Sequence, residues 1–456
     1  MKRIIIFGIF LVGAAALVYS QRADQITGTV RGKGEKPAIA VPDLRGAGDA
    51  QRFMNTFNAT LFSQLQNSGQ LKMVPKTVYP LQVPQQPSDF HPPVNGRSNG
   101  PWLADWSGPP VNANYLAFGY TAVQNNQIVL YGWLFDVAQT STSSAQLIGK
   151  VYLGSLDEEG SKKVAEQFAA DILKQFGATS LMGTKIYFVS SRSGNKEIWS
   201  MDYDGSNQKQ FTVYKTITSF PVVSPDATKI AFTTYMQRKG APPYPQIFVH
   251  SLETGRKLVY YNQAASFNAA SDFMPDSRHL LIYSSASGES QIYITDLDGS
   301  GMRRLGYSRS LEVEAKVSPN GHDIVFLSGR GGTPQIYRMS IDGTDVARLT
   351  TGEGDAANPA WSPDGQHIAF AWTRGYEPGN FNIFVMDVAT REVVQLTHGA
   401  GRNENPSWAP DGIHIVFSST RGRNTQIYTM LADGSGIQQL TSQGNNEKPV
   451  WARASQ

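Results

Sequence analysis

The chain has 456 residues, of which 40% are hydrophobic and 11% aromatic, enough for two or three packed domains. It contains no cysteine, which excludes disulfides, thiol catalysis and a lipid-modified cysteine. The formal charge is +3, or +1 without Lys2 and Arg3, so nothing in the charge balance indicates nucleic acid or an anionic membrane surface as a partner.

The first 20 residues have the pattern of a secretory signal peptide. Lys2 and Arg3 precede an apolar run from Ile4 to Val18, and the small residue Ser20 follows. We expect cleavage after Ser20, because the apolar run is short for a permanent membrane span. An exported, cysteine-free and nearly neutral chain fits a bacterial periplasm better than a eukaryotic secretory route.

Residues 21–178 mix strand and helix patterns, which predicts an α/β domain. A short apolar strand at residues 38–41 precedes a helix that carries Phe57 and Leu61, with Asp49 as its cap and Gly69 as its end. Further strands are predicted at residues 115–122, 128–137 and 147–153, and a second helix at residues 161–177. The expected result is a small sheet with helices on one face.

Residues 79–110 contain eight prolines and several glycines, which predicts a long surface loop. Within it, residues 96–100 match the Gly-x-Ser-x-Gly pattern of hydrolase nucleophiles, with Ser98 at the centre. Such a serine requires a strained turn between a buried strand and a helix. Because prolines flank the motif on both sides, a flexible loop is the favoured interpretation.

Residues 179–184 are predicted to be a linker, and residues 185–456 carry a repeat of 44 to 49 residues marked by isoleucine followed by an aromatic residue. Six such pairs begin at Ile198, Ile247, Ile292, Ile336, Ile383 and Ile427. A period of this length, made of short strands, predicts an all-β, six-bladed β-propeller with four strands in each blade. The first blade lacks its own inner strand, and Pro449-Val450-Trp451 repeats the inner-strand motif Pro359-Ala360-Trp361. We therefore predict that the last strand of the chain completes the first blade.

Three polar patterns follow the repeat and do not converge on one place. Histidines recur once in a blade at His279, His367 and His414, and arginines recur after the second strand at Arg192, Arg330, Arg374 and Arg421. The arginines could form a basic rim or pack against their own blades. The Asp-x-Asp-Gly runs at Asp202 and Asp296 lack the glutamate that ends a calcium loop, so hairpin turns are expected. We predict no catalytic residue, no metal site and no cofactor.

The segments that enter the inner strands differ between blades and are expected to form loops around the mouth of the central channel. They contain the candidate partner-binding residues Ser219, Phe220, Phe267, Asn268, Ala269, Ala270, Val313, Glu314, Asn358, Glu404, Asn405, Glu447 and Lys448. Variation on a repeated scaffold is typical of a binding surface. The mixture of amide, carboxylate and aromatic groups suits a protein partner.

An exported, proline-broken α/β domain followed by six repeats of this kind resembles the TolB family, the periplasmic propeller proteins of the Tol-Pal system. The resemblance rests on variants of Trp-Ser-Pro-Asp-Gly, Ile-Ala-Phe, Gln-Ile-Tyr and Gln-Leu-Thr, and on residues 81–87. It implies a non-enzymatic, monomeric protein that supports outer-membrane integrity and cell division by binding the peptidoglycan-associated lipoprotein, Pal, at the channel mouth. The family's Pal contacts fall most directly on Phe267, Asn268, Ala269, Ala270, Val313 and Glu314.

The resemblance also implies that the mature amino terminus binds TolA, which here would involve Gln25, Ile26, Thr27 and Val30. Two other interpretations stay open. Propellers of this repeat also precede peptidase domains and filter their substrates, and a propeller channel can hold a glycan or a small molecule. A peptidase would need a further catalytic domain with its serine, acid and histidine, and we expect none after the last strand.

Overall fold

The computed structural model describes residues 35–95, 97, 99–238, 241–260, 267–374 and 380–454. The chain divides between Met182 and Gly183 into two compact units. The predicted signal peptide, the candidate TolA-binding residues and Ser98 lie outside the described residues. Within these described ranges, no helix is long and apolar enough to cross a membrane.

The first unit is built on a mixed sheet of six strands. They are β1 (Ala38–Ala40), β2 (Arg45–Gly46), β3 (Lys72–Met73), β4 (Tyr115–Gln124), β5 (Gln127–Asp136) and β6 (Gln146–Ser155). The order is β3-β1-β4-β5-β6, with β2 beside β4. β1 is parallel to β3 and β4, whereas β4, β5 and β6 are antiparallel neighbours.

Two helices cover one face of this sheet, α1 (Met54–Asn67) and α4 (Glu158–Gln175). Phe57 and Leu61 of α1 and Phe168 of α4 are fully buried in the shared core. The predicted cap of the first helix is wrong, because Asp49 lies in a 3-10 turn, Gly48–Phe53, and its side chain caps nothing. In α4 the cap is Asp157, whose Oδ1 accepts a hydrogen bond from the Gly160 N–H at 2.7 Å. This bond lowers the pKa of Asp157.

The proline-rich segment, residues 79–110, is mostly irregular and at least partly exposed as predicted, but a few of its apolar residues also form a core against the sheet, which the sequence did not predict. A 3-10 turn, Lys76–Val78, precedes the segment, and the helical elements within its described residues are a second 3-10 turn, Pro87–Asp89, and the short helix α2 (Ala104–Ser107). Trp106 is fully buried, and the ring of Phe90 lies 5.3 Å from that of Phe118 on β4. The prolines prevent a strand or a long helix, but the apolar residues between them still form a second hydrophobic layer. The remaining short helix, α3 (Thr142–Ala145), connects β5 to β6.

The second unit contains six antiparallel sheets of four strands, which confirms the predicted propeller. We number the blades by their second strands and give the strands from the channel outwards. Blade 1 is Asn446–Ala452, Lys185–Ser190, Glu197–Asp202 and Lys209–Gln210; blade 2 is Thr218–Val223, Lys229–Arg238, Ala241–Ser251 and Lys257–Tyr260; blade 3 is Asn268–Phe273, His279–Ser284, Gln291–Asp296 and Arg303–Arg304. Blade 4 is Glu312–Val317, Asp323–Ser328, Gln335–Ser340 and Ala347–Arg348; blade 5 is Ala356–Trp361, His367–Trp372, Asn382–Asp387 and Val393–Gln395; blade 6 is Asn403–Trp408, His414–Ser419, Gln426–Leu431 and Gln438–Gln439.

The last strand of the chain is the inner strand of blade 1. It pairs with the second strand of that blade from Asn446 opposite Ser190 to Ala452 opposite Lys185. The indole N–H of Trp451 also donates to the Thr184 hydroxyl at 3.0 Å, just before that second strand. This pairing covers what would otherwise be the open edge of blade 1.

Blade 2 departs from the repeat in one respect. Its second and third strands have 10 and 11 residues, whereas the second and third strands of every other blade have six. The extra residues extend this hairpin at the end of blade 2 where the inner strand begins. The hairpin therefore projects from the channel-mouth face. The longest spacing in the sequence repeat, 49 residues between Ile198 and Ile247, is the signal of this longer hairpin.

Candidate partner-binding site

Each inner strand begins at a buried residue, and in blades 1, 2, 4, 5 and 6 the backbone N–H of this residue donates to a carbonyl of the preceding blade. These residues are Thr218, Asn268, Glu312, Ala356, Asn403 and Asn446. In blade 1, the Asn446 amide donates to Gln426 Oε1 of blade 6 at 2.8 Å, while its Oδ1 accepts from Arg192 at 3.1 Å. Because these bonds are buried, they hold the first residue of the strand, and hence the residues that follow it, at a defined place around the channel.

The recurring arginines pack against their own blades and do not form a basic rim. The guanidinium of Arg192 lies 4.6 Å from the Trp199 ring, and that of Arg421 lies 4.6 Å from the Tyr428 ring. Arg330 and Arg374 stack in the same way on Tyr337 and Trp372. Burial lowers the pKa of Arg192 and Arg421, but guanidinium remains charged at any physiological pH. Three of the arginines also hold the first residue of an inner strand: Arg192 bonds to Asn446, Arg330 to Glu312 and Arg421 to Asn403.

The third residue of the inner strand has a left-handed backbone in five of the six blades. These residues are Phe220, Glu314, Asn358, Asn405 and Lys448, with φ between 52° and 57°. Each lies where the register with the second strand shifts, as in a β-bulge. A bulge re-aims a side chain, and left-handed residues other than glycine are uncommon. Together with Ala270 of blade 3, these five residues line the channel, and we call the six the mouth ring.

Blades 4 to 6 contribute a continuous polar side of the mouth ring. The two carboxylate oxygens of Glu314 accept hydrogen bonds from the backbone N–H and the side-chain amide of Asn358, at 2.7 and 3.0 Å. The Oδ1 atom of Asn358 in turn accepts from the Asn405 N–H at 3.2 Å. The polar side is therefore pre-organised by bonds between blades and still exposes amide groups toward the channel.

Blades 1 to 3 contribute an aromatic side. The Lys448 ammonium lies 4.4 Å from the Phe220 ring centroid, a cation-π distance. The ring of Tyr283 lies 6.0 Å from Phe220 and 5.7 Å from Phe267. Burial raises the pKa of Tyr283 well above its usual value, and the charge of Glu314 adds to the effect, so this phenol stays neutral. Apolar and hydrogen-bonding groups thus face each other across one opening.

Below the mouth ring the channel contains one close pair of opposite charges. Lys316 Nζ lies 3.9 Å from Asp272 Oδ1, and Asp272 Oδ2 accepts from the Val317 N–H at 3.0 Å. Burial raises the pKa of Asp272, although Lys316 opposes the shift. The cavity has a volume of about 500 Å³ and reaches from the mouth ring to the Pro-Asp turns at its other end. It could admit a loop of a partner or a small molecule.

The structure corrects the predicted site in two ways. The candidate residues lie in the first half of the inner strands, not in loops before them, with Phe267 as the exception. Four of them have buried side chains and present little to a partner: Ser219, Asn268, Ala269 and Ala270. The other nine are partly exposed: Phe220, Phe267, Val313, Glu314, Asn358, Glu404, Asn405, Glu447 and Lys448. Two of these are occupied locally, since Glu404 pairs with Arg402 at 2.7 Å and Glu447 with Lys196 at 2.5 Å.

The sequence analysis missed three residues of the channel, Tyr283, Asp272 and Lys316. Tyr283 belongs to a second strand, where an apolar run indicated only packing. Asp272 and Lys316 occupy the fifth position of an inner strand, where other blades have Val222, Ala360 or Val450. A charge at a repeat position that is otherwise uncharged was the available signal.

The histidines pair with carboxylates of their own blades. His279 Nδ1 lies 2.5 Å from Asp276 and His414 Nδ1 lies 2.6 Å from Asp411. His367 is buried, and burial lowers its pKa. Across the described ranges, no three histidine, aspartate or glutamate residues are placed to hold a metal ion.

The chain matches the family model for the TolB beta propeller domain over residues 173–375 and 349–456, which include the whole propeller. The chain is 31% identical over 302 residues to "Protein TolB homolog" of Chlorobaculum tepidum, an alignment that covers 65% of this chain and 63% of that protein. It is 33% identical over 196 residues to "Tol-Pal system protein TolB" of Desulfosudis oleivorans, with 43% and 42% covered. These alignments span less than two thirds of the relatives' own lengths.

The crystal structure of TolB from Acinetobacter baumannii has a similar fold. The TM-score is 0.73 at 22% identity, and the alignment covers 92% of this chain and 97% of that chain. The structural similarity therefore extends over both units, whereas the family model covers the propeller. On this evidence the chain belongs to the TolB family.

Proposed function

We propose that this protein is a non-enzymatic component of a Tol-Pal system that acts in the periplasm and binds a Pal homologue at the channel mouth. The observation that carries the proposal is the mouth ring, in which five residues at β-bulges, each from a different blade, line one channel. A role in a Tol-Pal system is supported by the relative that is named as a Tol-Pal system protein. A protein partner is supported by the mixture of amide, carboxylate and aromatic groups around the mouth ring. Such a role would contribute to outer-membrane integrity and to cell division.

The backbone of the mouth ring supports binding over packing. A left-handed conformation in a residue other than glycine costs free energy, on the order of 1–3 kcal/mol in unfavourable cases and less for asparagine. Phe220, Glu314 and Lys448 bear this cost without being buried in a core. Strained residues that persist around an opening are typical of sites whose purpose is recognition.

A binding measurement with the Pal homologue of the same bacterium tests the proposal. Isothermal titration calorimetry with the full mature chain should show binding, and Glu314→Lys should weaken it by roughly 10- to 100-fold, since it removes the carboxylate that holds Asn358 and places an ammonium group beside the Asn358 amide. Glu253→Lys is the matched control, because Glu253 is exposed in the turn after the third strand of blade 2, at the opposite end of the propeller. Equal affinities for the two variants would contradict the proposal.

We also propose that the mature amino terminus, including Gln25, Ile26, Thr27 and Val30, binds a TolA homologue. The support is the family relationship alone, because these residues lie outside the described part of the chain. Deletion of residues 21–34 should abolish capture of TolA while leaving the affinity for Pal within about threefold, if the two sites are separate. Retention of TolA by the shortened protein would contradict this assignment.

A further inference from the structure

The connections between successive blades differ sharply around the propeller. Those that lead into blades 2 and 4, residues 211–217 and 305–311, carry large exposed apolar side chains: Val213, Ile217, Tyr307 and Leu311, between 42% and 76% exposed. Those that lead into blades 5, 6 and 1 consist mainly of glycine and polar residues. Exposed apolar side chains concentrated on one sector of a surface mark an interaction site more often than scattered ones do.

The charges of the two apolar connections have one sign. Lys215 and Arg309 are exposed there, and neither connection contains an acidic residue. The connection into blade 5, in contrast, contains Glu353 and Asp355. A partner that covers the first sector therefore meets apolar and cationic groups, and acidic side chains on it would complement them.

These connections lie on the face of the channel mouth. Each leaves the outer strand of one blade and enters the next inner strand at its first residue, two positions before the mouth ring. The long hairpin of blade 2 rises from the same face and contacts one of them: the Tyr235 N–H donates to the Ile217 carbonyl at 3.0 Å, and the Thr216 hydroxyl donates to the Tyr235 carbonyl at 2.8 Å. The connection into blade 2 therefore leads to Phe220 on the aromatic side of the mouth ring, and the connection into blade 4 leads to Glu314.

We infer that this sector is an outer part of the docking surface, in contact with an apolar and acidic face of the partner that occupies the channel mouth. Its residues, which we call the outer rim, are Val213, Lys215, Ile217, Tyr307, Arg309 and Leu311. The inference rests on the proposed function and goes beyond it by naming the second area of contact and its chemistry. Tyrosine and arginine are enriched at protein interfaces, and Tyr307 and Arg309 stand two residues apart in one connection.

The test measures binding of the Pal homologue to the full mature chain by biolayer interferometry. The double variant Tyr307→Ser/Leu311→Ser should bind on the order of tenfold more weakly, through faster dissociation. The matched control is Val346→Ser/Ile437→Ser, which removes apolar side chains that are each 40% exposed and precede outer strands at the opposite face. Thermal unfolding of both variants must match that of the unaltered protein.

A charge variant tests the second element of the inference. Arg309→Glu should slow association several-fold at low salt, and the difference should shrink as salt screens the charges. Its control is Arg278→Glu, an exposed cation in the turn at the opposite end of blade 3.

The outcomes separate this inference from the proposed function. Weaker binding by the outer-rim variants and by Glu314→Lys supports both. If Glu314→Lys weakens binding and the outer-rim variants bind like the unaltered protein, the inference is overturned and the proposed function stands. If the unaltered, folded protein does not bind Pal, both are overturned.

Discussion

Different side-chain contacts join neighbouring blades at two junctions, the one between blades 6 and 1 and the one between blades 3 and 4. At the first, Gln426 Oε1 accepts from the Thr441 hydroxyl at 2.7 Å and from the Asn446 amide at 2.8 Å, while the Thr441 oxygen accepts from the Ile427 N–H at 2.9 Å. Every donor in this buried group has an acceptor. The network therefore joins two blades without an unpaired polar atom among these four residues.

At the junction between blades 3 and 4, glycine and glutamate replace the threonine and the asparagine. A Cβ atom added to Gly306 would overlap Glu312 Oε2, so the carboxylate fills the space of the threonine side chain. The other carboxylate oxygen pairs with Arg330. Glu312 Oε2 and Gln291 Oε1 are buried, and no described residue donates to either of them.

The comparison shows what the repeat position requires. Glutamate restores the volume lost at Gly306 and adds an ion pair with Arg330, but it supplies no donor where the threonine hydroxyl would stand. An ion pair therefore stabilises the junction between blades 3 and 4, whereas hydrogen bonds among Gln426, Thr441 and Asn446 stabilise the junction between blades 6 and 1. Variants that break or exchange the two arrangements should differ accordingly in their effect on unfolding.

Removal of residues 446–456 breaks the first junction completely. The truncated chain loses the inner strand of blade 1, so a six-residue second strand becomes an open edge and the Asn446 network is lost. We expect the cooperative unfolding transition of the propeller to disappear in differential scanning calorimetry. A truncated protein that melts like the intact chain would show that the last strand does not hold the propeller closed.

Glu312→Ala removes the ion pair at the junction between blades 3 and 4. It leaves the Arg330 guanidinium, which is only 27% exposed, without its carboxylate. We expect a loss of roughly 2–4 kcal/mol in the free energy of unfolding, measured by urea denaturation. The equivalent change at a neutral junction, Asn403→Ala beside Arg421, should cost less, about 1–2 kcal/mol. Equal costs would show that the two kinds of junction do not differ in energy.

The double change Gly306→Thr/Glu312→Asn converts the charged junction into the neutral one. Gly306→Thr alone should destabilise by about 1–3 kcal/mol, because the new Cβ meets the Glu312 carboxylate. In the double variant the shorter asparagine side chain removes the clash and can pair with Arg330, as Asn403 pairs with Arg421 at 3.1 Å. We therefore expect a favourable coupling energy of about 1–3 kcal/mol in a double-mutant cycle. Additive effects would contradict the compensation.

The smallest effect concerns the Pro-Asp turns, where blade 2 has Asp226 and blade 4 has Asn320. Although burial raises the pKa of Asp226, hydrogen bonds from Ser224, Thr228 and Lys229 outweigh it and hold that pKa well below its usual value. A depressed pKa contributes stability above the unfolded pKa of about 3.9 that is lost as the pH falls through the folded pKa. Asp226→Asn should therefore flatten the decline of melting temperature below about pH 4. An unchanged acid profile would contradict this.

The number of blades and the strands within them could be predicted from the sequence, because a repeat constrains each position six times. A single isoleucine-aromatic pair says little, but six at regular spacing identify the buried third strand in every blade. The proline-rich segment offered no such repetition. Its buried Trp106 and Phe90 are separated by polar residues and prolines, so neither helical nor strand periodicity indicated that they face a core.

The candidate residues of the channel could be predicted only in part. Variation between blades correctly drew attention to the start of the inner strands, yet it did not distinguish the buried Asn268 and Ala269 from the partly exposed Asn358 and Glu314. Position in the strand makes part of that distinction, because the first residue is buried in every blade, whereas the third, at the β-bulge, is partly exposed in five of the six. No residue type in the sequence marks these bulges.

The order of an α/β domain and a six-bladed propeller follows from the sequence, since hydrophobic periodicity and turn residues act over short distances along the chain. Which side chains meet depends instead on the three-dimensional fold: the mouth ring brings together residues from Phe220 to Lys448, and the aromatic side adds Tyr283 from a second strand. Closure of the ring brings these distant segments into contact, and contacts of such long range leave no local pattern in a single sequence.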